Sequence, residues 1–260
     1  DIAFDTDGEI KNFDFYEAKI ESKYRLTYAE VEEAILRKKK IGSTSVNESI
    51  NALKELTITL LGKRAKRNAL EIESSEPILK INNIGAVEAI NLSTRMFAHQ
   101  MIEEAMIAAN ICAITFVKNS IGISINRFHD KPDTDKLLAL FEKFQSLGLK
   151  KSDDPIILLQ RCSEIAKRNE NAASLQSLIL QGLPRAIYSS KKSGHFGLQL
   201  EEYSHFTSPI RRYPDLIIHR LIKSILKKEK VNFDEELFEE ECNELSNLEK
   251  RALFSRLDNS

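Results

Sequence analysis

The sequence predicts an α+β fold with a single domain, in which short β-hairpins pack against several long helices. Apolar residues at helical spacing dominate the chain, whereas strand-like alternation is confined to short paired stretches. Neither an internal repeat nor a low-complexity linker divides the 260 residues. A chain of this length can hold one large domain or two small ones, and the absence of a linker favours one.

The composition is that of an ordinary globular protein. Hydrophobic residues make up 42% and charged residues 30% of the chain, and the net charge is −1. Any site for an anion must therefore be local, because the chain as a whole is not basic. Charge interrupts every apolar stretch well short of a bilayer span, so we predict no transmembrane helix. The chain opens on DIAFDTDG without Met, and we expect it to be a fragment of a longer protein.

The three cysteines are odd in number and far apart in the sequence. Cys112, Cys162 and Cys242 therefore argue against a disulfide framework and against a cysteine-based zinc site. We expect them to be small core residues in a reducing, cytoplasmic setting.

Two hairpins and a pair of helices are predicted in the first third of the chain. Residues 3–20 contain two strand-like segments around Asp7-Gly8, and residues 78–90 repeat the pattern around Asn83 and Gly85. Between the hairpins, residues 27–67 look helical and highly charged, with a polar break at 43–47. Thr27 or a neighbour is expected to cap the first of these helices.

The remaining chain is predicted to be mostly helical. The strongest helix covers residues 93–117, and further helices are expected at 137–147, 156–166, 172–179, 214–226 and from 233 to the end. Residues 121–128 and 195–200 are predicted strands. On the strongest helix, apolar residues recur at spacings of three and four: Phe97, Met101, Ala105, Ala108, Cys112 and Phe116.

The most informative segment is HFTSPIRRYPDLIIHR, residues 205–220. Pro214 suits a first helical turn, since it has no N–H to donate, and Asp215 there favours the positive end of the helix dipole. A loop with two guanidiniums and two hydroxyls that leads into a helix N-terminus is suited to binding phosphate oxygens. A surface turn with two solvated arginines is an equal alternative. The four residues in question are Thr207, Ser208, Arg211 and Arg212.

Histidines near this segment allow a metal site in principle. His195, His205 and His219 fit no compact ligand spacing, so we expect hydrogen-bonding scaffold instead. Asp215 and His219 are four apart on one helix, and we expect them to pair.

A polar strip is predicted on the strongest helix. His99, Glu103 and Asn110 lie within roughly 40° of one another around an ideal helix axis. A plain solvent-facing strip is the alternative to a binding surface. Glu104, next to this strip, is expected to be structural.

Several segments together resemble the ribonuclease R/ribonuclease II (RNB) family of processive 3′→5′ exoribonucleases. Residues 205–220 match its signature H-F-T-S-P-I-R-R-Y-x-D-L-x-x-H-R almost letter for letter. The resemblance extends over essentially the whole chain, with the elements in the family's order. The other matching segments are RLTYAEV (25–31), MIEEAMIAANICA (101–113), RFHDKP (127–132) and GHFGLQLEEYSHF (194–206).

The resemblance implies roles for individual residues. Arg211 matches the essential arginine that contacts the scissile phosphate, and Arg212 is expected to bind a neighbouring phosphate or to support the loop. Tyr28 and Glu103 match residues near the terminal riboses, where a carboxylate can accept a hydrogen bond from a 2′-hydroxyl that DNA lacks. Thr207, Ser208 and Asn110 are further candidates for RNA contact.

Three more positions are less settled. Arg127 and His129 lie near the RNA path or in a network that supports it, and a capped loop with a satisfied histidine is the alternative. Some family members stack a base on an aromatic residue near position 72, but Ile72 cannot stack well.

The resemblance also implies a metal that this stretch of sequence does not provide for. The family hydrolyses RNA to nucleoside 5′-monophosphates with Mg²⁺ held by four aspartates, which we expect upstream of residue 1. Asp1, Asp5 and Asp7 lack the doublet of that cluster. We therefore predict a partial RNB catalytic domain at 1–260, without its metal-binding part or flanking OB-type domains, and inactive alone.

The resemblance implies that a monomer binds the 3′ end of single-stranded RNA. No membrane partner is expected. The signature form Y-P-D-L favours the ribonuclease R type, whereas EEAMIAANICA favours type II, so the subtype stays open. A degenerate RNB-like module that binds RNA without cutting it is the alternative function.

Overall fold

The computed structural model describes residues 1–71, 77–82, 87–92, 95–232 and 234–257. The first half contains two hairpins and three helices: β1 (Ile2–Phe4), β2 (Ile10–Phe13), α1 (Tyr28–Arg37), α2 (Thr44–Lys66), β3 (Pro77–Ile81), β4 (Val87–Leu92) and α3 (Phe97–Ile121). The second half is mainly helical: β5 (Asn126–Phe128), α4 (Thr134–Gln145), α5 (Pro155–Lys167), α6 (Ala172–Gly182), β6 (Ile187–Ser189), α7 (Tyr213–Leu226) and α8 (Glu235–Leu257). The predicted α+β class is confirmed.

Each strand pairs with one antiparallel partner. β1 pairs with β2, β3 with β4, and β5 with β6, so the described strands form three small two-stranded sheets. Gly8 adopts φ of 79° in the first hairpin, as its predicted turn requires. The turn predicted around Asn83 and Gly85 lies outside the described residues.

Local sequence signals explain where the first helices begin. Thr27 accepts a hydrogen bond from Glu30 N, and the Glu30 carboxylate accepts one from Thr27 N, which completes a capping box at α1. Ser43 accepts from Val46 N at the start of α2. The predicted cap at Thr27 is therefore confirmed.

Two predicted strands are wrong in extent or type. The apolar residues that suggested a strand from 121 partly belong to α3, which continues to Ile121 and ends where Gly122 turns left-handed at φ of 78°. β5 consequently covers only three residues. The segment predicted as a strand at 195–200 holds a 3₁₀ turn over Phe196–Leu198, because His195 Nδ1 accepts from Leu198 N and closes the turn.

Two apolar clusters form the core. One joins α4, α5 and α6 around Phe144, Leu159 and Ile179. The other joins α3, α7 and α8 around Val117, Ile125 and Ile218. The three cysteines are free and buried, as predicted.

Helix α3 runs through the centre of the fold and packs against α1, α2 and α7. Its length and apolar composition would allow it to cross a membrane, but they are equally typical of a buried core helix. Half of its most apolar stretch is buried within the protein, so we assign α3 to the protein core.

Candidate functional site

The loop at residues 205–213 is closed by the first turn of α7. Asp215 is fully buried, and its Oδ1 accepts hydrogen bonds from Ser208 N at 2.8 Å and Arg212 Nη2 at 2.7 Å. Ser208 O accepts from the backbone N–H groups of Arg211 and Arg212. The loop is therefore a hydrogen-bonded turn with its own buried carboxylate.

The same loop is attached to α3 through Asn110. Asn110 Oδ1 accepts from Phe206 N at 2.9 Å and Thr207 N at 3.3 Å, while Nδ2 donates to Tyr203 Oη at 2.9 Å. The side chain is only 2% exposed. Asn110 therefore does not belong to the predicted polar strip, because its side chain binds loop backbone groups in the interior. Sequence spacing alone could not show this.

Arg211 contrasts with its neighbour Arg212. Arg212 is committed to Asp215, which favours the loop-supporting role that was one of its two predictions. The Arg211 side chain is exposed and forms no hydrogen bond or ion pair within the described part of the chain. The Thr207 and Ser208 hydroxyls are likewise unpaired among the described residues. The loop thus presents one uncommitted guanidinium and two hydroxyls.

The predicted pairing of Asp215 with His219 is wrong. His219 Nε2 lies 2.9 Å from Phe206 O, and its ring stacks on Phe206 at 4.2 Å between centroids. Asp215 lies in the first turn of α7 and is drawn to the loop backbone instead. His219 is nonetheless scaffold, as expected, since it fixes the loop from the other side.

Glu103 is held by two arginines. Its Oε1 accepts from Arg64 at 2.8 Å and its Oε2 from Arg95 at 2.6 Å. Burial alone would raise the pKa of Glu103, but the hydrogen bond from Arg64 and the charge of Arg95 outweigh burial and lower it. Glu103 is therefore a carboxylate whose position is fixed.

Arg64 also bonds the buried Glu104 at 2.7 Å. This confirms the structural role expected for Glu104, which is 3% exposed. Sequence reasoning did not connect Arg64 and Arg95 with Glu103. Arg64 lies 39 residues before Glu103, and no local pattern joins the two.

Tyr28 lies beside the start of α3. Its ring is 4.1 Å from the His99 ring between centroids, and the residue is 47% exposed. His99 precedes Glu103 by one helical turn, roughly 6 Å along the axis. Asn110 and the loop follow roughly 10 Å further along the same helix. Helix α3 thus aligns the predicted ribose contacts with the Arg211 loop.

Arg127 and His129 belong to a supporting network. Arg127 forms two hydrogen bonds to the Glu249 carboxylate, at 2.7 and 3.1 Å, and stacks over the Tyr188 ring. His129 Nδ1 accepts from Gly197 N, and its Nε2 lies 2.9 Å from Pro184 O. Burial lowers the pKa of His129. Both ring nitrogens of His129 have partners, as the alternative of a satisfied histidine predicted, and a position of Arg127 and His129 near the RNA path stays a prediction.

A line of rings connects this network to the loop. His129 and His195 lie 4.8 Å apart between centroids, His195 and Tyr203 5.4 Å, and Tyr203 and His205 5.8 Å. Burial lowers the pKa of His195 to about 3 and that of His205 to about 2, assisted by neighbouring positive charge. His195 and His205 are therefore neutral at physiological pH.

The described residues do not fit a Mg²⁺ site. Across them, no group of three or more His, Cys, Asp and Glu side chains could hold a metal ion. Asp5 accepts from two backbone N–H groups of its own turn and pairs with Lys11, and Asp1 accepts from Tyr16 Oη. Ile72, relevant to base stacking, lies outside the described residues.

Comparison with known proteins decides the family. The RNB domain family matches residues 1–228. The chain belongs to the RNB family. It is 36% identical over 228 residues to ribonuclease R of Escherichia coli strain K12, a match that covers 85% of this chain and 28% of that protein.

Solved RNB structures share the fold. Ribonuclease R of Mycoplasma genitalium in its apo form superposes with a TM-score of 0.81 at 26% identity, covering 95% of this chain and 39% of that one. Structures of the same enzyme with single-stranded and double-stranded RNA match equally well. The yeast pseudonuclease Ssd1 superposes with a TM-score of 0.68 at 19% identity, over 93% of this chain and 30% of that one, which shows the shared fold alone. The RNB chain spans well under half of these relatives.

Proposed function

We propose that this RNB chain is the RNA-gripping part of the catalytic domain of a processive 3′→5′ exoribonuclease. The whole protein hydrolyses single-stranded RNA from its 3′ end and releases nucleoside 5′-monophosphates. The relatives named ribonuclease R favour the type that also degrades structured RNA. The protein acts as a cytoplasmic monomer, and Mg²⁺ is bound by aspartates outside the described residues.

The observation that carries this proposal is the unpaired Arg211 side chain on a loop whose backbone is held by Asn110 and Asp215. Asn110 and Asp215 hold the loop backbone, so the loop presents the Arg211 guanidinium at a defined place, where it can stabilise charge on phosphoryl oxygens. The alternative of a surface turn with two solvated arginines does not describe the loop, because Arg212 is paired with the buried Asp215.

The ribose contacts follow from the same geometry. Tyr28 presents a half-exposed ring against His99, and Glu103 presents a fixed carboxylate one helical turn after His99. Both Glu103 oxygens already accept from arginines, but each retains a lone pair for a 2′-hydroxyl. Discrimination of RNA from DNA would then rest on a preorganised acceptor.

The test is single-turnover degradation of a 5′-labelled oligoribonucleotide by the full-length protein with Mg²⁺. Arg211→Ala is expected to lower the rate by about 10²–10³. Arg212→Ala is a poor control because it strips Asp215 of its partner, so Arg168→Ala, at an exposed arginine that ends α5 outside the signature, serves instead. An unchanged rate in Arg211→Ala would overturn the proposal.

The alternative is a degenerate RNB module that binds RNA without cutting it, in the way that Ssd1 is called a pseudonuclease. The full gene discriminates, since a degenerate protein should lack aspartates of the form D-x-x-x-x-x-D-x-D-D upstream. For the isolated 260-residue chain we expect no Mg²⁺-dependent release of nucleotides. Detection of such release would show that metal ligands lie within this stretch.

A further inference from the structure

His205 occupies a position that its scaffold role does not fully explain. It directly precedes Phe206, whose N–H is bound by Asn110, so its backbone is fixed next to the Arg211 loop. Its ring packs edge-on against Tyr203 and Tyr188, each 5.8 Å away between centroids. The ring therefore has a defined orientation.

The hydrogen bond between His205 and Tyr188 selects one tautomer of the imidazole. His205 Nδ1 lies 2.9 Å from Tyr188 Oη. Tyr188 is 2% exposed, and its hydroxyl has no other described partner. If Nδ1 were the donor, the buried hydroxyl hydrogen would be left without an acceptor, which is costly. Tyr188 is therefore the donor, and the neutral His205 ring carries its proton on Nε2.

The resulting Nε2–H has no acceptor among the described residues. The charges of Arg212, Arg127 and Arg211 all act on this ring and disfavour its protonation. Asp215 offsets the charge of Arg212, and Glu249 offsets that of Arg127. Arg211 alone of the three has no described counter-charge.

An N–H donor without a described acceptor, on the same loop as an uncompensated guanidinium whose charge acts on its ring, is complementary to an anion. We propose that His205 Nε2–H and Arg211 together bind a phosphodiester of the RNA, with Tyr188 acting as the positioning residue that keeps the proton on Nε2. This inference rests on the proposed function and adds a phosphate-binding residue to it.

The neutral state of the ring restricts what His205 can do. Because burial holds its pKa at about 2, it is not a proton source for a leaving group at neutral pH. It is a fixed neutral donor, whose hydrogen bond to phosphate does not titrate across the physiological range.

The test measures RNA affinity of the full-length protein with metal ions chelated, so that no cleavage occurs. The probes are single-stranded oligoribonucleotides that carry one uncharged methylphosphonate linkage, moved stepwise from the 3′ end. His205→Phe removes the donor and keeps a ring, whereas His205→Gln keeps a donor near the position of Nε2. His195→Phe is the matched control, because it alters the same line of rings further from Arg211.

We expect His205→Phe to weaken binding of unmodified RNA about tenfold, a typical value for one hydrogen bond to a charged group. When the methylphosphonate replaces the phosphate that His205 contacts, His205→Phe should lose no further affinity relative to the wild type, because that contact is already absent. His205→Gln should retain most of the affinity, and His195→Phe should show no dependence on linkage.

Two results would overturn the inference: equal losses at every linkage in His205→Phe, or unchanged affinity in both His205 variants. If His205→Phe unfolds, His205→Gln alone decides. The inference is then overturned by a His205→Gln protein whose loss of affinity is the same for unmodified RNA as for every modified RNA. Failure of the proposed function is distinct, since the wild-type protein would then not degrade RNA with Mg²⁺, whatever the dependence of its RNA affinity on the methylphosphonate position.

Discussion

The two ends of the predicted RNA path use arginine in opposite ways. At the start of α3, Arg64 and Arg95 are both bound to carboxylates of the protein, and Glu103 is the group they fix. At the start of α7, Asp215 and Asn110 fix the loop, and Arg211 is left without a described partner. Arginine thus fixes protein carboxylates at one end and is left unpaired at the other, where we propose that it binds RNA.

This difference predicts opposite effects of arginine removal on stability. Arg64→Met leaves the buried Glu104 without its cation, and we expect a loss of about 3–5 kcal/mol in the free energy of unfolding. Chemical denaturation measures this. The double change Arg64→Met with Glu104→Met should recover most of the loss, because no charge remains buried alone. An Arg64→Met variant as stable as the wild type would contradict the structural role of Arg64.

Arg211→Ala should leave the free energy of unfolding within about 0.5 kcal/mol of the wild type, although it removes most activity. An exposed side chain without a partner contributes little to folding. Denaturation of this variant beside Arg64→Met compares the two ends directly. A loss of several kcal/mol would show that Arg211 belongs to the frame after all.

Asn110→Leu tests the connection between the two ends. Phe206 N and Thr207 N lose their acceptor, which costs about 1–3 kcal/mol for each buried donor left unpaired. Because the loop then moves relative to α3, the rate should fall even though Arg211 remains. Asn110→Asp keeps the acceptor and should retain more stability and activity than Asn110→Leu.

Acid should lower the free energy of unfolding through the buried histidines His195 and His205. His195 and His205 have lowered pKa values in the folded protein, so below about pH 6.5 the unfolded chain binds protons that the folded chain does not. Stability is fully present above that pH and falls as the pH drops towards the folded values. Denaturation at several pH values should show a smaller acid loss in His205→Gln, and an unchanged slope would contradict this.

Sequence reasoning predicted the parts of the site that depend on local order. The capping box at Thr27, the proline that opens α7 and the placement of Arg211 before a helix all follow from neighbouring residues. The family signature added what those residues are expected to contact.

The remainder depends on distant contacts. The i,i+4 spacing suggested an Asp215–His219 pair, but in a first helical turn the loop backbone and Arg212 compete for the carboxylate. Spacing on α3 likewise grouped Asn110 with Glu103, since periodicity does not show which segment covers a helix face. Arg64 could not be matched to Glu103 across 39 residues without the fold.

The central claim is that Arg211 is an unpaired cation on a loop held by Asn110 and Asp215, and that it is available to the phosphate at the bond to be cleaved. A crystal structure of the full-length protein with a non-cleavable RNA tests this directly. We predict that the Arg211 guanidinium lies within hydrogen-bond distance of a phosphate near the 3′ end while Arg212 stays on Asp215. Arg211 turned towards solvent, with Arg212 released to the RNA in its place, would contradict the account.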